Sequence, residues 1–134
     1  MWIGSNWLYD WNMGKIKNFT DLEIYQKSLE LTKEIYKITQ TFPEAEKFGL
    51  LSQLTRSVSS VGANIAEGFG RYYRKEFVRF LYNARGSLTE TLHHLIIAFE
   101  VGYISQKKLD ILEQKLTVLH IKINNLISSL KKKT

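Results

Sequence analysis

The stretch RSVSSVGANIAEGFGRYYRKEFVRFLYNARG, Arg56 to Gly86, decides how the rest of the chain is read. Its first half places Val58, Val61 and Ile65 at alternating three- and four-residue steps, the spacing of a helix seam packed against another helix. Small residues crowd that seam: Ser57, Ser59, Ser60, Gly62 and Ala63. A glycine inside a helix gives up about 1 kcal/mol against alanine, so Gly62 predicts a neighbouring backbone at close approach. Gly68 and Gly70 then read as the helix stop. Directly after them come Arg71, Tyr72, Tyr73, Arg74 and Lys75, with Arg79 and Arg85 further along. A helix N-terminus carries partial positive charge and favours acids, so cations gathered there do not stabilise the helix end and call for another role.

The run NIAEGFGR, Asn64 to Arg71, is followed by Glu76-Phe77, Phe80-Leu81, Ala84, Gly86-Ser87, Glu90 and then Gly102-Tyr103. In this spacing, over roughly Phe19 to Leu130, the chain resembles the four-helix-bundle family of 23S rRNA intervening-sequence proteins. That family is in turn similar to the accessory variability determinant of diversity-generating retroelements, a basic pentameric bundle that binds nucleic acid. The resemblance implies a bundle, a homo-oligomer with five copies, and a surface that faces RNA or DNA. It implies no reaction, because a fold hosts functions without determining them.

Outward from this stretch the same periodicity recurs. Thr20 or Asp21 is placed to cap a first helix running from about Asp21 to Phe42, with Pro43 as its stop. Two seams share it: Leu22, Tyr25, Leu29, Thr32 and Tyr36 in one, Ile24, Leu31, Ile35, Ile38 and Phe42 in the other. A second helix, from about Glu46 to Glu67, carries Leu51, Leu54, Val58, Val61 and Ile65. A third, from about Arg74 to Gly102, carries Phe77, Leu81, Ala84, Leu88, Thr91, Leu95 and Ala98, with Phe80, Leu92, Ile96, Ile97 and Phe99 outside that seam. Ser105 is placed to cap a fourth, whose Leu109, Leu112, Leu116, Leu119, Ile123, Leu126 and Leu130 form the most regular heptad of all. Four such helices on short connections predict an all-α fold, an antiparallel up-and-down four-helix bundle over residues 19–134. The apolar surface of the first and third helices exceeds what one core needs, which predicts burial against another subunit.

Composition sets the broad class. Apolar residues make up 44% of 134, enough for a globular domain without metal or disulfide staples. With no cysteine there is neither a disulfide framework nor a thiolate metal site, which fits a reducing cytoplasm. Nineteen Lys and Arg against thirteen Asp and Glu leave +6, an attraction for polyanions. No apolar run reaches the length of a membrane span, so no membrane partner is expected. Residues 1–18 read as an N-terminal extension or arm. Its first part, MWIGSNWLYDWN, lacks the basic start and small-residue cleavage site of a secretory signal, and Met13 offers a second start. Trp2, Trp7 and Trp11 in it suit a docking role on a groove of the assembled protein.

Catalytic chemistry is sought and not found. Glu90 and His93 have the spacing of half a di-iron site, but no glutamate stands three residues before His94 or His120 to supply the second half. Neither a metal nor another cofactor is expected. Gly68 and Gly70 lack the strand and the Gly-Lys-Ser/Thr of a phosphate loop. Asn64 and Glu67, one turn apart, are expected in a structural role, paired to a helix terminus or neighbouring helix with help from Arg56 or Arg71. Arg71, Lys75 and Arg79 recur every four residues and Arg74 and Arg85 share an adjacent face, with Tyr72 and Tyr73 among them. Cations set among aromatic plates suit RNA, where phosphates supply affinity and rings stack on bases. The expected function is non-enzymatic nucleic-acid binding, RNA before DNA, through Arg71, Tyr72, Arg74, Lys75, Arg79 and Arg85. The rival is a scaffold whose basic surface meets an acidic protein.

Overall fold

The computed structural model describes residues 16–132. Four helices dominate it: α1 (Glu23–Thr39), α2 (Leu50–Phe69), α3 (Arg74–Glu100) and α4 (Gln106–Lys132), with short 3-10 turns at Phe19–Asp21 and Glu44–Glu46. Each helix packs on its sequence neighbours and α4 closes the ring against α1, so the chain runs up and down around one core. No described helix is long and apolar enough to cross a membrane.

The seams read from spacing form that core. Leu54, Val58, Val61 and Ile65 of α2 are completely buried, as are Phe77, Leu81, Ala84, Leu95 and Ala98 of α3. Leu112, Leu116, Leu119, Ile123 and Leu130 fill it from α4. On α1 the two expected seams separate: Ile24, Leu31, Ile35 and Ile38 go inside, whereas Leu29 and Tyr36 remain 47% and 48% exposed. Ile96 of α3 stays outside as well, and α4 adds Ile111, Val118 and Ile121, which its clean heptad conceals.

Helix ends depart from expectation for local reasons. The first cap is Asn18: its Oδ1 accepts from Thr20 N at 3.2 Å, while Asp21 Oδ2 accepts from Asn18 N at 3.1 Å, a reciprocal capping box. Leu22 then turns extended and is buried, so α1 begins at Glu23. The helix ends at Thr39, before Phe42, because the hydroxyls of Thr39 and Thr41 donate back to Tyr36 O and Ile38 O at 2.8 and 2.7 Å. α2 begins at Leu50, four residues later than expected, since Glu46 caps it from the preceding turn: Oε1 accepts from Leu50 N at 3.0 Å. α3 closes with Gly102 at φ +86°, Tyr103 N donating to Ala98 O at 2.7 Å and Gly102 N to Phe99 O at 3.0 Å, a Schellman motif. Ser105 Oγ accepts from Lys108 N at 3.1 Å and caps α4.

The α2–α3 contact explains the small residues. Ser60 donates to Ser87 Oγ at 2.6 Å and Thr91 to Ser57 Oγ at 3.1 Å, so hydroxyls from both helices pair across the seam. Ser57 and Thr91 are buried, and each hydroxyl also reaches a carbonyl of its own helix, which leaves no orphan group. Gly62 faces α1, where an added Cβ would lie 3.0 Å from Ser28 Oγ and 3.4 Å from Tyr25 Cε1: the close neighbours are side chains, not the expected backbone. Gly68 is the tighter position. It lies inside α2 instead of ending it, and a Cβ there would sit 2.5 Å from Phe80 Cβ and 2.9 Å from Phe77 Cδ1.

Candidate nucleic-acid interface

The tight fit of Gly68 brings the end of α2 onto the first turns of α3, and the connection Gly70–Tyr73 crosses between them. With antiparallel helices, the C-terminal end of α4 lies at this same end of the bundle. Here the basic residues gather.

Arg71 belongs to the turn, not to α3, so the expected four-residue face of Arg71, Lys75 and Arg79 is not a continuous helical stripe. Arg71 and Arg79 meet instead on Phe80, with guanidinium carbons 5.0 and 4.8 Å from the ring centroid. Both are ion-paired: Arg71 with Glu67 at 2.9 Å, Arg79 with Glu76 at 3.2 Å. These pairs are solvent-exposed and weak, so the arginines can exchange a carboxylate for a phosphate. Lys75 is exposed and enters none of the ion pairs among the described residues. Tyr72 and Tyr73 are 60% and 67% exposed, their rings edge to face at 5.0 Å.

Two of the expected residues point elsewhere. Arg85 donates to Asn124 Oδ1 on α4 at 2.9 Å and lies over Tyr82 at 4.8 Å, which turns it from the Phe80 cluster towards the α3–α4 seam. Arg74 reaches Leu130 O at 3.5 Å, also on α4. The expected polar group assembles in part: Glu67 accepts from Arg71 at 2.9 Å, while Asn64 donates to Ser60 O of its own helix at 2.8 Å and Arg56 is exposed. Asn64, Arg74 and Arg85 were claimed by a backbone carbonyl or a partner on α4, whereas Glu67 keeps its i+4 neighbour Arg71.

What spacing missed is the contribution of α4. Lys131 Nζ donates to Tyr82 OH at 3.1 Å and lies 5.7 Å from the ring centroid. The described residues form a groove of about 800 Å³ here, floored by Tyr73, Val78, Tyr82 and Leu130. Arg74, Lys75, Glu76, Arg79 and Lys131 stand around it. Only the antiparallel pairing of α3 with α4 joins Tyr82 to Lys131, which are far apart in sequence. Of the other two tail lysines, Lys132 is exposed and Lys133 lies outside the described residues, as do the tryptophans at positions 2, 7 and 11.

The opposite end of the bundle is built differently. Tyr103 OH donates to Glu46 Oε2 at 2.6 Å, and its ring packs on Phe42 at 5.3 Å. The hydrogen bonds from Tyr103 and from Leu50 N hold the Glu46 carboxyl below the usual carboxylate range, and the same carboxylate raises the Tyr103 phenol. Among the histidines, His93 is exposed and His94 Nε2 lies 3.3 Å from Glu90. No group of three His, Cys, Asp or Glu among the described residues is placed to hold a metal ion. Chemically, the cationic end can bind anions and stack planar rings.

Comparison with known proteins places the fold. A crystal structure of a protein of unknown function from the S23 ribosomal protein family of Bacteroides thetaiotaomicron VPI-5482 superposes with a TM-score of 0.72 and 25% identity, covering 78% of this chain and 95% of that one. No curated protein sequence matches. The profile of the 23S rRNA-intervening sequence protein family matches residues 20–125, more than half of the chain. With that match, and with the four helices packed as described, the chain belongs to the 23S rRNA-intervening sequence protein family.

Proposed function

We propose that this protein is a non-enzymatic, cytoplasmic, oligomeric bundle that binds nucleic acid, RNA in preference to DNA, at the end formed by the α2–α3 turn, the start of α3 and the end of α4. The observation that carries the proposal is an excess: Tyr72 and Tyr73 are largely exposed and Lys75 is unpaired among the described residues, so the fold does not use them. Arg71 and Arg79 sit beside them in exposed ion pairs. Cations beside accessible rings match the needs of a single-stranded or irregular RNA, with phosphates held by charge and bases by stacking. The family's name refers to an intervening sequence of 23S rRNA, and we take that as support for RNA over DNA. The exposed Leu29, Tyr36 and Ile96 supply apolar area for contacts between copies, and the pentamer follows the family resemblance.

The test is a titration against structured RNA, duplex DNA and heparin at several salt concentrations. Log affinity falls linearly with log salt, and Arg71→Gln with Lys75→Gln reduces the slope by roughly 0.7 to 0.9 per lost contact, alike for all sequences. An unchanged affinity and slope in the folded double variant removes this surface and leaves the acidic-protein partner ahead. Light scattering tests the assembly: a mass at the monomer value of 15.7 kDa at micromolar concentration defeats it.

A further inference from the structure

Two features are left over by the packing of the bundle, and they stand at its opposite ends. One is Phe48, in the connection before α2, the most exposed large apolar side chain among the described residues at 90%. Lys47 Nζ comes within 5.6 Å of its ring centroid but covers little of it. The other is the groove of about 800 Å³ between α3 and α4, with Tyr73, Val78, Tyr82 and Leu130 in its lining. An exposed ring and an open apolar groove on a globular protein each call for a partner.

The connection presents Phe48 on a fixed base. Gly49 N donates to Glu46 O at 3.0 Å, while Glu46 Oε1 accepts from Leu50 N at 3.0 Å and Oε2 from Tyr103 OH at 2.6 Å. The turn is thus tied to α2 on one side and to the α3–α4 connection on the other, so binding its ring orders little that is not already ordered. The groove is equally prepared. Arg74 reaches Leu130 O at 3.5 Å and Lys131 donates to Tyr82 OH at 3.1 Å, contacts that join its α3 wall to its α4 wall. Those contacts use the donors but leave the charge: Arg74, Lys75, Arg79 and Lys131 against Glu76 give the lining +3. The turn that carries Phe48 has the opposite sign, with Glu44 and Glu46 against Lys47. Phe48 cannot fill the groove of its own chain, because the 20 residues of α2, about 30 Å of helix, separate it from the α2–α3 turn beside that groove.

We propose that Phe48 of one copy of this chain seats in the α3–α4 groove of a second copy, its ring against Val78 and Leu130 and its acidic turn against the cationic rim. Ring and groove are different surfaces, so the contact is heterologous: each copy that gives its Phe48 still offers its groove, and bundles add end to end. A phenylalanine buries at most about 250 Å², well under the about 1,200 Å² of a stable pairwise interface. The association is therefore weak and grows with concentration. It does not rest on the function proposed above, and it uses none of Leu29, Tyr36 and Ile96, the residues assigned there to contacts between copies.

The test is sedimentation velocity of the full chain from micromolar to millimolar concentration. Wild type gains mass over that range. Phe48→Ser stops the gain, and so does Val78→Glu in the groove floor, or Lys75→Glu with Arg79→Glu at the rim should Val78→Glu lose its circular-dichroism signal. Complementation then separates this docking from any other contact between copies. Immobilised Phe48→Ser protein, which keeps its groove, retains the groove variant, which keeps its Phe48, but does not retain a variant carrying both changes. A wild-type mass that does not rise with concentration, a rise that persists in Phe48→Ser or in the folded groove variant, or equal retention of the groove variant and the double variant overturns the proposal.

Discussion

The two ends of this bundle treat their tyrosines in opposite ways, although Phe48 in the α1–α2 connection is itself 90% exposed. At the end formed by the α1–α2 and α3–α4 connections, Tyr103 is consumed by the fold: its hydroxyl donates to Glu46, its ring packs on Phe42, and Glu46 in turn caps α2. At the other end Tyr72 and Tyr73 project from the α2–α3 turn with more than half of their surface exposed. The difference teaches where to look for function: in the residues that one end uses for stability and the other leaves unspent.

The contrast breaks most severely at Gly68. Gly68→Ala places a methyl against Phe80 Cβ at 2.5 Å, and overpacking of that kind costs about 1–3 kcal/mol. Phe80 must move to make room, and Arg71 and Arg79 stack on it, so chemical denaturation and RNA titration of this variant should worsen together. Gly62→Leu is expected to be milder, about 1–2 kcal/mol, since Ser28 Oγ and the half-buried Tyr25 ring can yield and leucine recovers helix propensity. A higher melting temperature for the leucine variant would place Gly62 on an open face.

Smaller effects sharpen the comparison. The Glu46 carboxyl is held low, so its contribution is present above the ordinary carboxylate value and lost as pH falls through its own lower one. The Tyr103 phenol is held high, so its contribution is present below the ordinary phenol value and lost as pH rises through its own higher one. Tyr103→Phe should therefore lower the melting temperature between these limits and flatten the profile at both edges, with no change in RNA affinity. Smallest in stability are Tyr72→Ala and Tyr73→Ala, which are expected to stay within about 0.5 kcal/mol of wild type. Yet each should weaken single-stranded RNA more than duplex, by about 1–3 kcal/mol for a ring that stacks on a base. Loss of stability without loss of binding in these two variants would reverse the assignment of the ends.

The sequence by itself determined the architecture. Three-and-four spacing, Pro43, Gly102 and the cap at Ser105 settle helix number and order and the inner faces of α2, α3 and α4, because burying an apolar stripe is a local requirement repeated along each helix, whereas α1 offered two seams and packing chose between them. The gathering of cations and rings after Gly70 was equally legible as composition. Its geometry was not. Spacing made Gly68 a stop, but packing on Phe77 and Phe80 makes it a contact point inside α2. Helical periodicity grouped Arg85 with the basic face, whereas Asn124 and Tyr82 hold it at the α3–α4 seam. The hydroxyl pairs Ser60–Ser87 and Ser57–Thr91, the Glu46–Tyr103 bond and the Tyr82–Lys131 pair all join residues that only the antiparallel register brings together. A side chain's period names the face it occupies, but its partner is chosen by whichever backbone or side chain lies within about 3 Å once the helices have packed.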